Sequence, residues 1–336
     1  MDIIIVAQQM LMLSAMMAVG FIITKLEWIN DDTSLRLSKL TSCIFNPLLV
    51  VNSVIGQDIS KTGSLFWENL GLVFVFYLIL FIAGWIINPI IRTPKTDAEK
   101  FRMLTLFPNC GFMGIPVIAS LLGNEYVIYV AIYMLFYNVI LYTYGISMVK
   151  ASVSKMHTTS SATFDACTIT ASNINTHNNG LSSTKRKSVL RTLLLNPGLI
   201  SSVFALILFF CGITLPKTVN SFIGYMSAPC IPISMMLIGH SIAKADLVRI
   251  IKNLRLYLYI ILRQIALPIA CCFLVRLLPF DTENKMLFII LLSMPAGSMT
   301  AIITKEYGGD SEFISSGIVL TTITSLVTLP FVSLFL

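Results

Sequence analysis

The sequence predicts an all-α membrane protein: ten transmembrane helices arranged as two inverted five-helix repeats, with helices 4 and 9 broken and crossing. Three observations predict it. Of 336 residues, 56% are hydrophobic and only 12% charged, and mean hydropathy is +0.85, whereas a soluble domain carries roughly a quarter charged residues. Apolar runs bounded by charges or turn residues recur ten times, each near the roughly 20 residues that cross a bilayer. The runs divide five and five about a polar stretch, and proline and glycine landmarks repeat between the two sets.

In chain order the expected spans are residues 3–24, 34–56, 65–91, 101–122, 125–149, 190–213, 218–242, 254–277, 286–305 and 313–335. With the N-terminus outside, the inner connections hold 18 of the 23 Lys and Arg residues, among them Lys25, Arg36, Arg92, Lys95, Lys185, Arg186, Lys187, Lys244 and Arg249. The outer connections hold four, Lys61, Lys217, Arg276 and Lys285, and Arg263 alone falls within a span. Basic residues favour the cytoplasmic side, so both termini are expected outside and the central linker in the cytoplasm, in a plasma (inner) membrane. Trp28, Trp67 and Trp85 fall near span ends, where amphipathic rings sit at headgroup level. The start, MDIII, lacks a basic n-region, so no cleaved signal peptide is expected.

Residues 150–189 interrupt the apolar pattern. Within 151–184, 18 of 34 residues are Ser, Thr or Asn, a composition that cannot bury a core, and a flexible linker is expected. The adjoining Lys185, Arg186 and Lys187 read as a topology signal that also touches anionic lipid. The linker separates a first repeat, residues 1–149, from a second, residues 190–336. The second spans share a landmark, FNPLLVVNSVIG with Pro47 and Gly56 against APCIPISMMLIG with Pro229, Pro232 and Gly239. The fourth spans share a better one: Pro108 and Pro295 stand 187 residues apart, and Gly123 and Gly308 stand 185 apart. Five spans is an odd number, so the second copy enters the membrane with the opposite orientation, a pattern found in secondary transporters.

The fourth span carries the chemistry. Proline removes a helix hydrogen bond and clashes with the preceding turn, so Pro108 and Pro116, with Cys110, Gly111 and Gly114 between them, predict unwinding over 108–116. Pro295, Ala296, Gly297 and Ser298 predict the same in the ninth span. Freed backbone groups are tolerated at membrane depth only where protein or a polar cavity satisfies them. Two crossed breaks bring two half-helix N-termini, each with about +0.5 of a charge, to one place. Such a place favours an anion, above all a carboxylate. Asn109 and Ser298 add side-chain hydrogen bonds, and Asn46, Asn138 and Tyr142 are further candidates to line the cavity.

All sixteen acidic residues lie in loops or near span ends, which disfavours coupling through an intramembrane carboxylate; sodium held by carbonyls and hydroxyls stays compatible. Arg263 either attracts anions or is structural, capping carbonyls freed at Pro268 or reaching toward the interface, with the structural role favoured. His240 and Lys244 mark the inner interface rather than a proton relay. Enzyme motifs are absent: there is no H-E-x-x-H, G-x-S-x-G or phosphate loop, and His157, His177 and His240 do not cluster. YGGD at 307–310 lacks the second intramembrane Asp that carboxylate-pair chemistry needs. The seven cysteines have no metal-binding or redox spacing. No enzymatic activity, cofactor, metal or nucleic-acid partner is expected.

At these residues the chain resembles the auxin efflux carrier family, which includes plant PIN-type auxin carriers and bacterial members described as malate or malonate permeases. TLFPNCGFMGIP at 105–116 is similar to the family's crossover, and TKEYGGDSEFISSGIVLTTITSLVTLP at 304–330 to its last span; FNPLL, LLNPG and RQIALP add support. The resemblance implies a scaffold of spans 1, 2, 6 and 7 that also forms a homodimer, and a moving transport domain of spans 3–5 and 8–10. It implies substrate binding at the crossover of spans 4 and 9, with Pro108, Asn109 and Pro116 on one side and Pro295, Gly297 and Ser298 on the other, and elevator-like movement. The chain departs from plant carriers in its short linker and in Pro295-Ala296-Gly297, where they tend to place a polar residue after the proline. The expected function is secondary transport of small organic anions, carboxylates or auxin-like weak acids, driven by membrane potential; the alternatives are a sodium- or proton-coupled dicarboxylate permease and a non-transporting anion sensor.

Overall fold

The computed structural model describes residues 3–55, 59–154, 197–213, 215–244 and 254–333. The expected linker beyond residue 154, residues 190–196 of the sixth expected span and the Gly56 landmark lie outside these residues. Among the described residues every regular element is helical, and the one extended pairing is a bridge between Pro108 and Ala296. Five helical runs are long and apolar enough to cross a membrane: 66–90, 124–154, 217–244, 254–276 and 311–332.

Helix α1 (Ile3–Lys25) is followed by α2 (Asp31–Leu40), whose start is capped by Asn30 Oδ1, accepting from the Thr33 N–H at 2.8 Å. A π turn, Thr41–Phe45, joins α2 to α3 (Asn46–Asn52). Then come α4 (Ile59–Ile90), α5 (Ala98–Leu106), α6 (Ile115–Leu121), α7 (Val127–Ile140) and α8 (146–154). The second half has α9 (Pro197–Cys211), α10 (Lys217–Ser227), α11 (Cys230–Lys244), α12 (Leu254–Ile260), α13 (Leu267–Arg276), α14 (Thr282–Leu292), α15 (Met299–Glu306) and α16 (Ser311–Ser333).

Among the described residues prolines explain three of four π turns; the fourth, Leu141–Gly145, is followed by no proline. In three places a π turn immediately precedes a proline-bearing helix: Thr41–Phe45 before Pro47, Cys110–Gly114 before Pro116, and Ile261–Ala266 before Pro268. Proline lacks the N–H that would bond four residues back and its ring crowds that carbonyl. Widening to five-residue spacing, as in the Asn46 N–H to Thr41 O bond, makes room for the ring without stopping the helix. The expected unwinding over 108–116 is accordingly narrower: helix resumes at Cys110, and Pro116 sits inside it.

Helix α4 shows why the fold needs an apolar solvent. Phe74, Leu78, Ile82 and Ile86, four residues apart, are 49–60% exposed, while Leu72, Val73, Phe76 and Leu80 on the other side are fully buried. An exposed apolar stripe of this length suits lipid, not water. Trp28, Trp67 and Trp85 are likewise exposed.

Among the described residues helices α1 and α11 make the most extensive pairing, because glycines let their backbones touch. A Cβ on Gly20 would stand 2.2 Å from Met236 O, and one on Gly239 would stand 2.0 Å from Met17 O. At the end of this seam His240 Nδ1 lies 3.0 Å from Thr24 Oγ1, and its Nε2 lies 3.3 Å from Asp31 Oδ1. Helices α9 and α10 pack on α3. On the other side Lys100 binds both Asp97, at 2.9 Å, and Asp310, at 2.8 Å, tying the start of α5 to the turn before α16.

Candidate functional site

Helix α5 ends at Leu106, and Phe107, Pro108 and Asn109 leave helical geometry before the chain recoils at Cys110. Helix α14 ends at Leu292, and residues 294–297 run non-helically before α15 starts behind Ser298. The two breaks meet. Asn109 N–H donates to Pro295 O at 2.7 Å and Gly297 N–H donates to Phe107 O at 2.7 Å, a minimal antiparallel bridge. Ala296 N–H donates to Thr321 Oγ1 of α16 at 3.2 Å. Backbone groups left unpaired where the helices break are thus satisfied by the other break and by α16, as burial in an apolar medium demands.

Gly297 is required by this contact. A Cβ there would meet Tyr137 Oη at 2.8 Å, Phe107 O at 3.1 Å and Pro108 O at 3.4 Å. Beside the bridge lies a cavity of about 210 Å³. From the breaks it is lined by Pro108, Asn109, Cys110, Gly111, Gly297 and Ser298; from α3 and α7 by Asn46 and Asn138; and from the π turn after α7 by Tyr142. Gly114, Pro116, Pro295 and Ala296, the other crossover positions expected from sequence, shape the breaks but do not line the cavity. The wall also includes residues the sequence reading did not single out: Ser42, Cys43, Phe112, Met134, Tyr137, Met299, and Pro197 with Gly198 at the start of α9.

The polar groups differ in what they have left to give. Asn109, 5% exposed, caps the helix starting at Cys110: its Oδ1 accepts from the Phe112 N–H at 3.1 Å. Ser298 precedes α15 without a side-chain capping bond. Asn46 Oδ1 and Asn138 Nδ2 are buried with no hydrogen-bond partner, although their residues are only 8% and 6% exposed. An unpaired buried amide costs about 1–3 kcal/mol. Both residues belong to the cavity wall. No charged side chain lines the cavity among the described residues, so an anion here would rely on helix starts and amides.

Arg263, 2% exposed, does not enter the cavity wall. Nor does it cap carbonyls at Pro268 or reach an interface, the two structural roles expected from sequence: Nε donates to Thr105 O at 3.3 Å and Nη1 to Leu292 O at 2.6 Å. The π turn relieves Pro268 by itself, with Leu267 N–H bonded to Leu262 O. Among the described residues no group of His, Cys, Asp and Glu could hold a metal ion.

A family model described as membrane transport protein matches residues 5–333. The chain belongs to this family, that of the auxin efflux carriers. An uncharacterized transporter of Methanothermobacter thermautotrophicus is 23% identical over 331 residues, covering 94% of each chain. An uncharacterized transporter of Methanocaldococcus jannaschii is 28% identical over 151 residues, covering 43% of this chain and 47% of its own. Membership of the membrane transport protein family makes this a multi-pass membrane transporter, a class that is generally non-enzymatic.

Proposed function

We propose that the protein is a secondary transporter of small organic anions, carboxylates or auxin-like weak acids, and that it holds them in the crossover cavity. The observation that carries this reading is the cavity itself: residues of both breaks line it, together with Asn46 and Asn138, each of which also holds a buried amide atom without a hydrogen-bond partner. In this reading Asn109 Nδ2, the Ser298 hydroxyl and the half-helix starts at Cys110 and Met299 receive the carboxylate. Asn138 and Tyr142 orient the rest of the molecule. The anion leaves water for fixed dipoles of opposite sign, and among the described residues no charged side chain lines the cavity to hold it back.

The remaining architecture is proposed on the same footing. Ten spans form two inverted repeats, 1–149 and 190–336, joined by a cytoplasmic linker at 150–189. Spans 1, 2, 6 and 7 make the scaffold and the homodimer contact, and spans 3–5 with 8–10 carry the site across in an elevator-type movement. Both termini face outward from the plasma membrane. Without a coupling ion, an inside-negative potential expels a monovalent anion with about 2.3 kcal/mol per 100 mV, so the favoured direction is efflux.

The test is thermal stabilisation of purified protein by malonate, malate and indole-3-acetate, in sodium and in choline salts. A ligand of the folded state stabilises by about 2.7 kcal/mol at a hundred times its Kd. Stabilisation by one acid in wild type and its loss in Asn109→Ala supports the site. No stabilisation by any acid in either salt contradicts the anion reading, and stabilisation only in sodium replaces uniport by coupled uptake.

A further inference from the structure

Arg263 presents a problem of charge. It is 2% exposed, and among the described residues no acidic side chain pairs with it. An uncompensated cation at membrane depth is expensive, so something must balance it. Its two acceptors, Thr105 O and Leu292 O, lie three residues before Pro108 and three before Pro295, and are 187 residues apart, as the prolines are. One guanidinium therefore grips the same position of both broken helices. Thr105 lies in the last turn of α5 and Leu292 ends α14, and a helix C-terminus carries about −0.5 of a charge. Two such ends supply about −1, which matches the arginine.

We propose that Arg263 is a positioning residue of the transport site: it clamps the C-terminal ends of α5 and α14, and so fixes how the breaks cross, without touching the transported anion. Three fastenings then act in series. Arg263 holds residues 105 and 292, and the Asn109–Pro295 and Gly297–Phe107 bonds hold the chain just beyond. Past these, helices start at Cys110 and at Met299, and both of these residues line the cavity. The planar fork of arginine suits two carbonyls on separate helices, whereas a lysine ammonium is a single point on a flexible stem. A pair of opposite helix ends on one side of the bridge thus receives a cation, and a pair on the other side is left for an anion. The consequence for transport rests on the function proposed above; the clamp does not.

The experiment follows amide hydrogen exchange in the full chain in nanodiscs, for wild type, Arg263→Met and Arg263→Lys, with malonate or indole-3-acetate flux measured in parallel. In Arg263→Met, exchange over 105–112 and 292–299 is expected to rise about tenfold or more, as for loss of hydrogen bonds to a charged group, while α1 and α11 keep wild-type protection. The lysine variant is expected to fall between. Half-saturation for the transported acid is expected to rise about tenfold in Arg263→Met at nearly unchanged maximal rate, with partial restoration by lysine, since a loosened crossover loses oriented dipoles. Unchanged exchange at both segments, or an equal rise in α1 and α11, overturns the clamp. If Arg263→Met does not fold, Arg263→Lys decides by the same criterion. If wild type carries neither acid, the proposed function fails, and the exchange data still decide the clamp.

Discussion

Replacing Gly297 by alanine adds one methyl group at the tightest point of the crossover. The backbone tolerates it, since Gly297 is not among the residues with positive φ. Space does not: the new Cβ would lie 2.8 Å from Tyr137 Oη and 3.1 Å from Phe107 O. The second atom is the acceptor of Gly297's own N–H, at 2.7 Å, so moving away stretches a bond that holds the breaks together. Overpacking costs about 1–3 kcal/mol and a weakened buried hydrogen bond about 1 kcal/mol more, so a loss of about 2–4 kcal/mol is expected. The assay is thermal unfolding in detergent together with flux in proteoliposomes. Tyr137→Phe deletes the nearest atom, and the double variant is expected to recover about 1 kcal/mol, as coupled neighbours do in a mutant cycle. An alanine variant as stable and active as wild type would refute the reasoning. So would strict additivity with Tyr137→Phe, which would mean that the two groups do not meet.

Asn138→Leu removes an unpaired buried amide, so it is expected to raise stability by about 1 kcal/mol while lowering carboxylate affinity about tenfold; equal affinity in a binding assay would take Asn138 out of the site. Gly239→Leu forces α1 and α11 apart where a Cβ would stand 2.0 Å from Met17 O. Loss of the monodisperse folded peak on size-exclusion chromatography is expected, and a folded variant would contradict the close approach. Deleting residues 155–184 is expected to leave flux within a factor of about two, since a segment so rich in Ser, Thr and Asn has too few apolar residues to build a core; a collapse of flux would give the linker a part in transport.

Much of this site was legible in the sequence because proline and glycine act locally. Pro108 with Asn109 and Pro295 with Gly297 mark breaks by chemistry that needs no tertiary knowledge, and Asn46, Asn138 and Tyr142 follow as polar residues that apolar spans must excuse. Helix positions were legible from the apolar runs: the expected second span at 34–56 is helical over 31–52, and the tenth, at 313–335, over 311–333. What was not legible depends on packing. A proline can either end a helix or be accommodated by a π turn ahead of it, so the recovery of helix at Cys110 could not be foreseen from Pro116. Tyr137 reads as one more aromatic in an apolar run, and only the bridge brings its hydroxyl against Gly297. The partners of Arg263 sit 158 and 29 residues away on two other helices, and no periodicity points to them.

The central claim is that an organic anion crosses the membrane through the cavity beside the crossed breaks. Its most direct test is efflux of a radiolabelled carboxylate from proteoliposomes under an imposed inside-negative potential, for wild type, Asn109→Ala and Ser298→Ala. Wild type is expected to release the anion faster as the potential grows. Each variant is expected to lose about tenfold in apparent affinity, the worth of one hydrogen bond to a charged group. Flux that survives both substitutions unchanged, or no potential-dependent release of any carboxylate by folded wild type, would contradict the account.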